Sequence, residues 1–280
     1  LKRPVNKSLR EYARGVAGGL LFSLPLLYTM EVWWAGFIAH PWRLAAYVVA
    51  TFVLLLGYNE FVGLRRDATF AEVVIDSVEE MGIGIVVAAV VLWLLGRVTL
   101  GAGAGEAVGQ IVVEAMTVAI GVSVGTAQLG GGGGEDEEDK GVGEGARGGA
   151  GGFGAQVIIA FCGAVLFAAN VAPTEEIVMI AVEISAWRLA GLAALSLAVG
   201  ALILYYSEFA NAREHIRFDR HHDVLVGTII TYAVALVASA LILWFFGRFD
   251  GQSAAVCAAQ TVVLGVAATL GSSAGRLLLQ

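Results

Sequence analysis

Apolar residues in this chain run in long blocks, and the charged residues collect between them. A helix crossing a hydrocarbon core of about 30 Å needs about 20 such residues in a row. The blocks predict eight spans, near 16–39, 43–63, 72–96, 107–129, 156–185, 188–209, 223–247 and 254–275. Between the fourth and fifth lies Gly130–Gly154, glycine-rich around the acidic run Glu135–Asp139. It has almost no apolar surface to bury, so it reads as a flexible linker. Its acids suit a solvated tether better than a cation chelator. The expected fold class is therefore all-α, a polytopic transmembrane bundle of eight spans in two parallel four-helix repeats. The first repeat occupies 1–129, the linker 130–154 and the second repeat 155–280.

Composition sharpens this picture. Hydrophobic residues make up 58% of the chain and charged residues only 15%, with a mean hydropathy of +0.79; a soluble domain carries about 25% charged residues. Lys2, Arg3, Lys7 and Arg10 precede the first apolar block in the manner of a secretion signal. That block is too long for one and lacks a small-x-small cleavage site, so it is expected to be retained as the first span. Cys162 and Cys257 lie inside apolar blocks without CxxC or histidine spacing, which suits buried hydrophobes rather than a disulfide or zinc site.

Basic residues predict the orientation. Lys2, Arg3, Lys7, Arg10, Arg14, Arg65, Arg66, Arg213, Arg217 and Arg220 fall on one side, with Lys140, Arg147 and Arg276. Only Arg43, Arg97, Arg188 and Arg248 fall on the other, so both termini and the linker are expected in the cytoplasm of a cell-membrane protein. Trp42, Trp93, Trp187 and Trp244 mark the outer ends, where an aromatic belt belongs.

The two halves share residues in order. At a constant offset Leu21 pairs with Leu166, Phe22 with Phe167, Thr29 with Thr174, Glu31 with Glu176, and Trp42-Arg43-Leu44-Ala45 with Trp187-Arg188-Leu189-Ala190. Tyr58-Asn59-Glu60-Phe61 then matches Tyr206-Ser207-Glu208-Phe209, and Leu92 to Arg97 matches Leu243 to Arg248. In the fourth spans Glu114 faces Gln260, and Gly125-Thr126-Ala127 faces Gly271-Ser272-Ser273. An even number of spans per unit predicts parallel repeats about an axis along the membrane normal. Gly121/Gly125 and Gly271/Gly275 are spaced for close helix contact.

Carboxylates within the apolar blocks are the candidate chemistry. Glu31 and Glu176 each precede an outer tryptophan by a stretch that spans about 16 Å of unbroken helix, which would set both near the bilayer midplane. An acid there costs about 2.5–3.5 kcal/mol and should face the protein interior with partners. Two such acids in proximity favour a shared proton or a bound cation. Pro25 and Pro173 lie just before them and can break the helix, freeing carbonyls. Glu175 adjoins the second acid, and Glu72, Asp76, Glu79 and Glu80 form a stripe on the third span. Glu114 is acidic in the first half only. The candidate ion- or proton-binding residues are Glu31, Glu176, Glu175, Glu79, Glu80 and Glu114; the alternative is that they only join helices. Glu60, Glu208 and Glu72 are expected at the interface, beside Arg65, Arg66 and Arg213.

The loop Arg213–Asp223, with His215, His221 and His222, could titrate near neutrality, but reads first as an ordinary basic cytoplasmic loop. No GxSxG, P-loop, HExxH or CxxC pattern occurs and no lysine lies within a span. No enzyme activity, cofactor or nucleic-acid partner is expected; the partners are the lipid bilayer and a cation or proton. The string from Arg14 to Trp34, with Asn170-Val171-Ala172-Pro173-Thr174-Glu175-Glu176, resembles a family of prokaryotic integral membrane proteins of unknown function. That resemblance implies topology rather than activity. The expected function is a cation or proton-coupled transporter or channel; the alternative is a non-transporting scaffold or sensor.

Overall fold

A computed structural model of the chain describes residues 5–62, 69–99, 103–128, 153–211 and 220–278. The linker, Arg65, Arg66 and the start of the histidine-containing loop lie outside them, as do the side chains of Glu208, His221 and His222. Among the described residues there are ten helices and no strand: α1 Val5–Leu27, α2 Met30–Ile38, α3 Pro41–Val62, α4 Phe70–Leu94 and α5 Ala104–Gln128, then α6 Phe153–Ala169, α7 Glu175–Glu183, α8 Ala186–Asn211, α9 Arg220–Phe245 and α10 Ala254–Leu278. Six of these, α3–α5 and α8–α10, are long and apolar enough to cross a membrane, and the bent pair α1–α2 adds a seventh if it is counted as one broken span. Large apolar side chains such as Ile75, Val86 and Leu202 are exposed on them, as lipid contact requires.

The first and fifth expected spans are not single helices. The stretch 16–39 is split between α1 and α2, whose axes meet at 85°. Pro25 has no N–H to continue the ladder; Tyr28 N–H reaches back only to the Pro25 carbonyl (3.3 Å), and Thr29 is extended. The stretch 156–185 is split at Asn170–Thr174 between α6 and α7. There Pro173 pushes its predecessor away from helical geometry, Val171 and Ala172 both bond Ala168, and Thr174 is extended. Each break is followed by a helix of nine residues.

The described helices fall into two compact units. One contains α1, α3, α4, α5 and the start of α6; the other contains α2, the rest of α6 and α7–α10. In the first unit α5 is the centre, packed by α1, α3 and α4 and buried over most of its length. Glycine makes this possible: a Cβ on Gly18 of α1 would overlap the backbone of Gly125, and one on Gly19 would press on Val118 and Val122. In the second unit α10 packs against α7, α8 and α9. A Cβ on Gly163 of α6 would overlap the Gly271 carbonyl, with Gly275 beside it. The small residues expected to let helices approach do so in both units.

Helix ends follow local sequence. Thr69 and Glu72 form a capping box at the start of α4, the Glu72 carboxylate accepting from the Thr69 N–H (2.8 Å). Gly96 and Gly247 adopt φ of 69° and 70°, a conformation that costs glycine nothing. Each ends its helix in a Schellman motif: Gly96 N–H bonds Trp93 and Arg97 N–H bonds Leu92, while Gly247 N–H bonds Trp244 and Arg248 N–H bonds Leu243. The shared Leu-Trp-x-x-Gly-Arg string is thus a helix stop that delivers an arginine.

Candidate functional site

The six candidate acids separate into two sets. Glu31, Glu175 and Glu176 belong to the second unit, and Glu79, Glu80 and Glu114 to the first.

In the second unit the acids lie in the first turns of the short helices: Glu31 in α2, Glu175 and Glu176 in α7. A helix N-terminus carries unpaired N–H groups and about half a positive charge, so a carboxylate is favoured there by about 0.3–1 kcal/mol. The Thr-x-Glu spacing sets this placement, since Thr29 and Thr174 are the residues at which each helix begins. The depth of about 16 Å expected from an unbroken rise does not carry over, because α2 ends at Ile38 and α7 at Glu183, with Ala39 and Ile184 extended, before either tryptophan is reached.

These three acids share a cation that sequence reasoning assigned only to a loop. Arg248, delivered by the Gly247 stop between α9 and α10, is half-buried; burial lowers its pKa, and the charges of Glu175, Glu31 and Glu176 oppose that shift. Its Nε has no hydrogen-bond partner among the described residues. The arginine is tethered from behind, because the fully buried Gln260 of α10 donates through Nε2 to the Arg248 carbonyl (3.2 Å). The signal available in sequence was the repeated Gly-Arg after a tryptophan. Arg97, at the corresponding place in the first unit, is exposed instead.

The expected stripe on α4 divides among different tasks. Glu72 caps its own helix. Glu79 accepts a hydrogen bond from Tyr12 of α1. Glu80 turns toward α3, where Asn59 Nδ2 donates to its Oε2 (2.8 Å) and to Ser77 Oγ (3.0 Å). Asn59 Oδ1 accepts from Ser123 Oγ of α5 (3.1 Å), and Ser77 Oγ donates to the Val73 carbonyl (2.8 Å). One asparagine thereby joins α3, α4 and α5 with its carbonyl and amide both used. Asn59 entered the sequence reading only as part of the repeat and Ser123 not at all, because a neutral polar residue in an apolar block carries no charge signal.

Glu114 differs from the other two acids of the first unit. It lies on α5 with no exposed surface, and neither carboxyl oxygen has a hydrogen-bond partner among the described residues. Three residues on, Thr117 Oγ1 and Tyr47 OH of α3 are 2.9 Å apart. Among the described residues no group of three or more His, Cys, Asp or Glu is arranged to hold a metal ion.

No curated protein and no solved structure matches the chain. Over residues 11–279 the chain matches, and so belongs to, the family described as "Putative integral membrane protein (DUF2391)".

Proposed function

We propose that the protein is a cation or proton-coupled transporter or channel of the cell membrane, with Glu31 and Glu176 at its centre and Glu175 beside them. One observation carries this reading. Two apolar stretches are interrupted immediately before acids, and those acids converge electrostatically on a single half-buried arginine. Discontinuous helices whose termini meet polar groups are how many transporters build ion sites. Three carboxylates facing one guanidinium leave an excess of negative charge, which a cation or proton can neutralise.

The same proposal takes the chain to be two parallel copies of one unit, with both termini and the linker cytoplasmic. Support comes from the paired Schellman stops, the paired nine-residue helices and the paired glycine contacts Gly18–Gly125 and Gly163–Gly271. The test is cation and proton flux into proteoliposomes, with E31Q/E176Q beside the unaltered protein. The double variant is expected to lose flux; equal flux from both proteins overturns the assignment.

A second reading, a non-transporting scaffold or sensor, has its own support. Glu79 and Glu80 are both engaged by neutral donors from neighbouring helices, as acids that merely join helices should be. It predicts no flux from any variant.

A further inference from the structure

Glu114 has a surrounding unlike that of the other candidate acids. It sits near the middle of α5, the most enclosed helix of its unit. Its neighbours along the helix, Val113, Ala115 and Met116, are buried, and Val87, Ala88 and Val118 belong with Met116 to one apolar cluster against which Tyr47 and Val112 pack. Ionisable groups on the packed helices are few. From α3 comes Tyr47, whose hydroxyl pairs with Thr117 Oγ1. Arg43, one turn earlier, lies over the ring of Trp42, its guanidinium carbon 5.8 Å from the centroid. The acids of α4 all precede Met81, leaving the rest of that helix without an ionisable group, and α1 has none between Gly15 and Leu27.

An ionised carboxylate enclosed in this way, with no hydrogen-bond donor among the described residues, costs several kcal/mol. A carboxylic acid of the same shape places only one polar hydrogen there, with the Tyr47–Thr117 hydroxyl pair on the same stretch of helix. We infer that Glu114 is a proton-binding site, occupied at neutral pH and enclosed within the first unit. The ligand is the proton itself: among the described residues no group of three or more His, Cys, Asp or Glu includes this carboxyl to hold a metal ion. Its release requires water or a donor to reach α5, so a change in the packing of α3 or α4 against that helix is what would discharge it. The inference stands whether or not the acids of the second unit carry flux.

Infrared spectra of the protein in liposomes at neutral pH read the proton directly. The unaltered protein is expected to show a carboxylic-acid carbonyl stretch that is missing from E114Q; spectra that coincide in that region overturn the proposal. Mass mapping of the unaltered protein serves where E114Q does not fold. A hydrophobic carbodiimide adds the O–H of a neutral carboxyl across its C=N bond, so every atom of the reagent is retained and the tagged peptide gains its full mass. The tag is expected on the peptide containing Glu114. Its absence there, with other acids tagged, overturns the proposal. Loss of the band in E114Q alongside unchanged flux in E31Q/E176Q would leave this site standing and remove only the transport assignment.

Discussion

In the first unit Glu79, Glu80 and Glu114 lie within unbroken helices; Tyr12 answers Glu79 and Asn59 answers Glu80, and Glu114 has no hydrogen-bond partner among the described residues. In the second unit Glu31, Glu175 and Glu176 lie where helices start, and a charged residue from a loop answers all three. The difference follows from backbone. A continuous helix has no spare N–H groups, so its carboxyls depend on side chains from neighbours; a broken one offers its own terminus. The two units share a packing plan built on glycine, yet hold their charges by different means.

Glycine variants test the shared part and should have the largest effect. Gly18→Leu drives a side chain into the backbone of Gly125, and Gly163→Leu does the same at Gly271. Backbone cannot move aside as a side-chain tip can, so each is expected to cost about 3 kcal/mol or more and to abolish a cooperative melting transition in detergent. Gly82→Ala on α4 is the control, since nothing lies within 4 Å of its added Cβ; a gain of up to about 1 kcal/mol is expected from helix propensity. Tolerance at Gly163 with collapse at Gly18 would break the claim of a common plan.

The polar network of the first unit comes next. Asn59→Leu removes two donated bonds and one accepted bond at once, leaving Glu80 and Ser123 without their amide partner. Buried polar groups left unmatched cost about 1–3 kcal/mol, so a clear drop in melting temperature is expected. Ser77→Ala should cost less, because Ser77 bonds back to its own helix as well. The comparison sharpens if E31Q/E176Q leaves the melting temperature unchanged while Asn59→Leu lowers it. Equal losses would mean that the acids of the second unit are structural too.

Much of the fold could be read from residue order alone. Apolar block length located the long helices, and glycine spacing located their contacts, while the Gly-Arg strings stood out as a repeated match before the structure showed them to be helix stops. What block length could not register was the backbone between blocks. Thr29 and Thr174 look like ordinary polar residues inside long apolar stretches, yet they end the extended link and begin a new helix. Pro25 and Pro173 signalled trouble without saying that the chain would turn by 85° at the first of them. The candidate acids were visible because charge stands out in an apolar block. Their partners were not, because Asn59 and Tyr12 are neutral and Arg248 lies between blocks. Charge balance is a property of three-dimensional neighbours, and Arg248 is far along the chain from Glu31.

The smallest expected effect separates the two arginines that follow the matched helix stops. Arg248→Gln leaves Glu31, Glu175 and Glu176 without the guanidinium on which they act, whereas Arg97→Gln changes an exposed side chain in the first unit. Glu175 and Glu176 are themselves exposed, so solvent screens much of the attraction and the loss for Arg248→Gln should be about 1 kcal/mol. Arg97→Gln should be close to neutral. The deficit in Arg248→Gln should shrink on adding a divalent cation or raising the ionic strength, because either stands in for the missing charge. Melting of both variants across a salt series measures this. If Arg97→Gln shows the larger loss, or if salt leaves the Arg248→Gln deficit untouched, the Arg248 guanidinium does not hold the acids through its charge. The three acids would then lack this counter-ion, and a cation or proton is what would neutralise them.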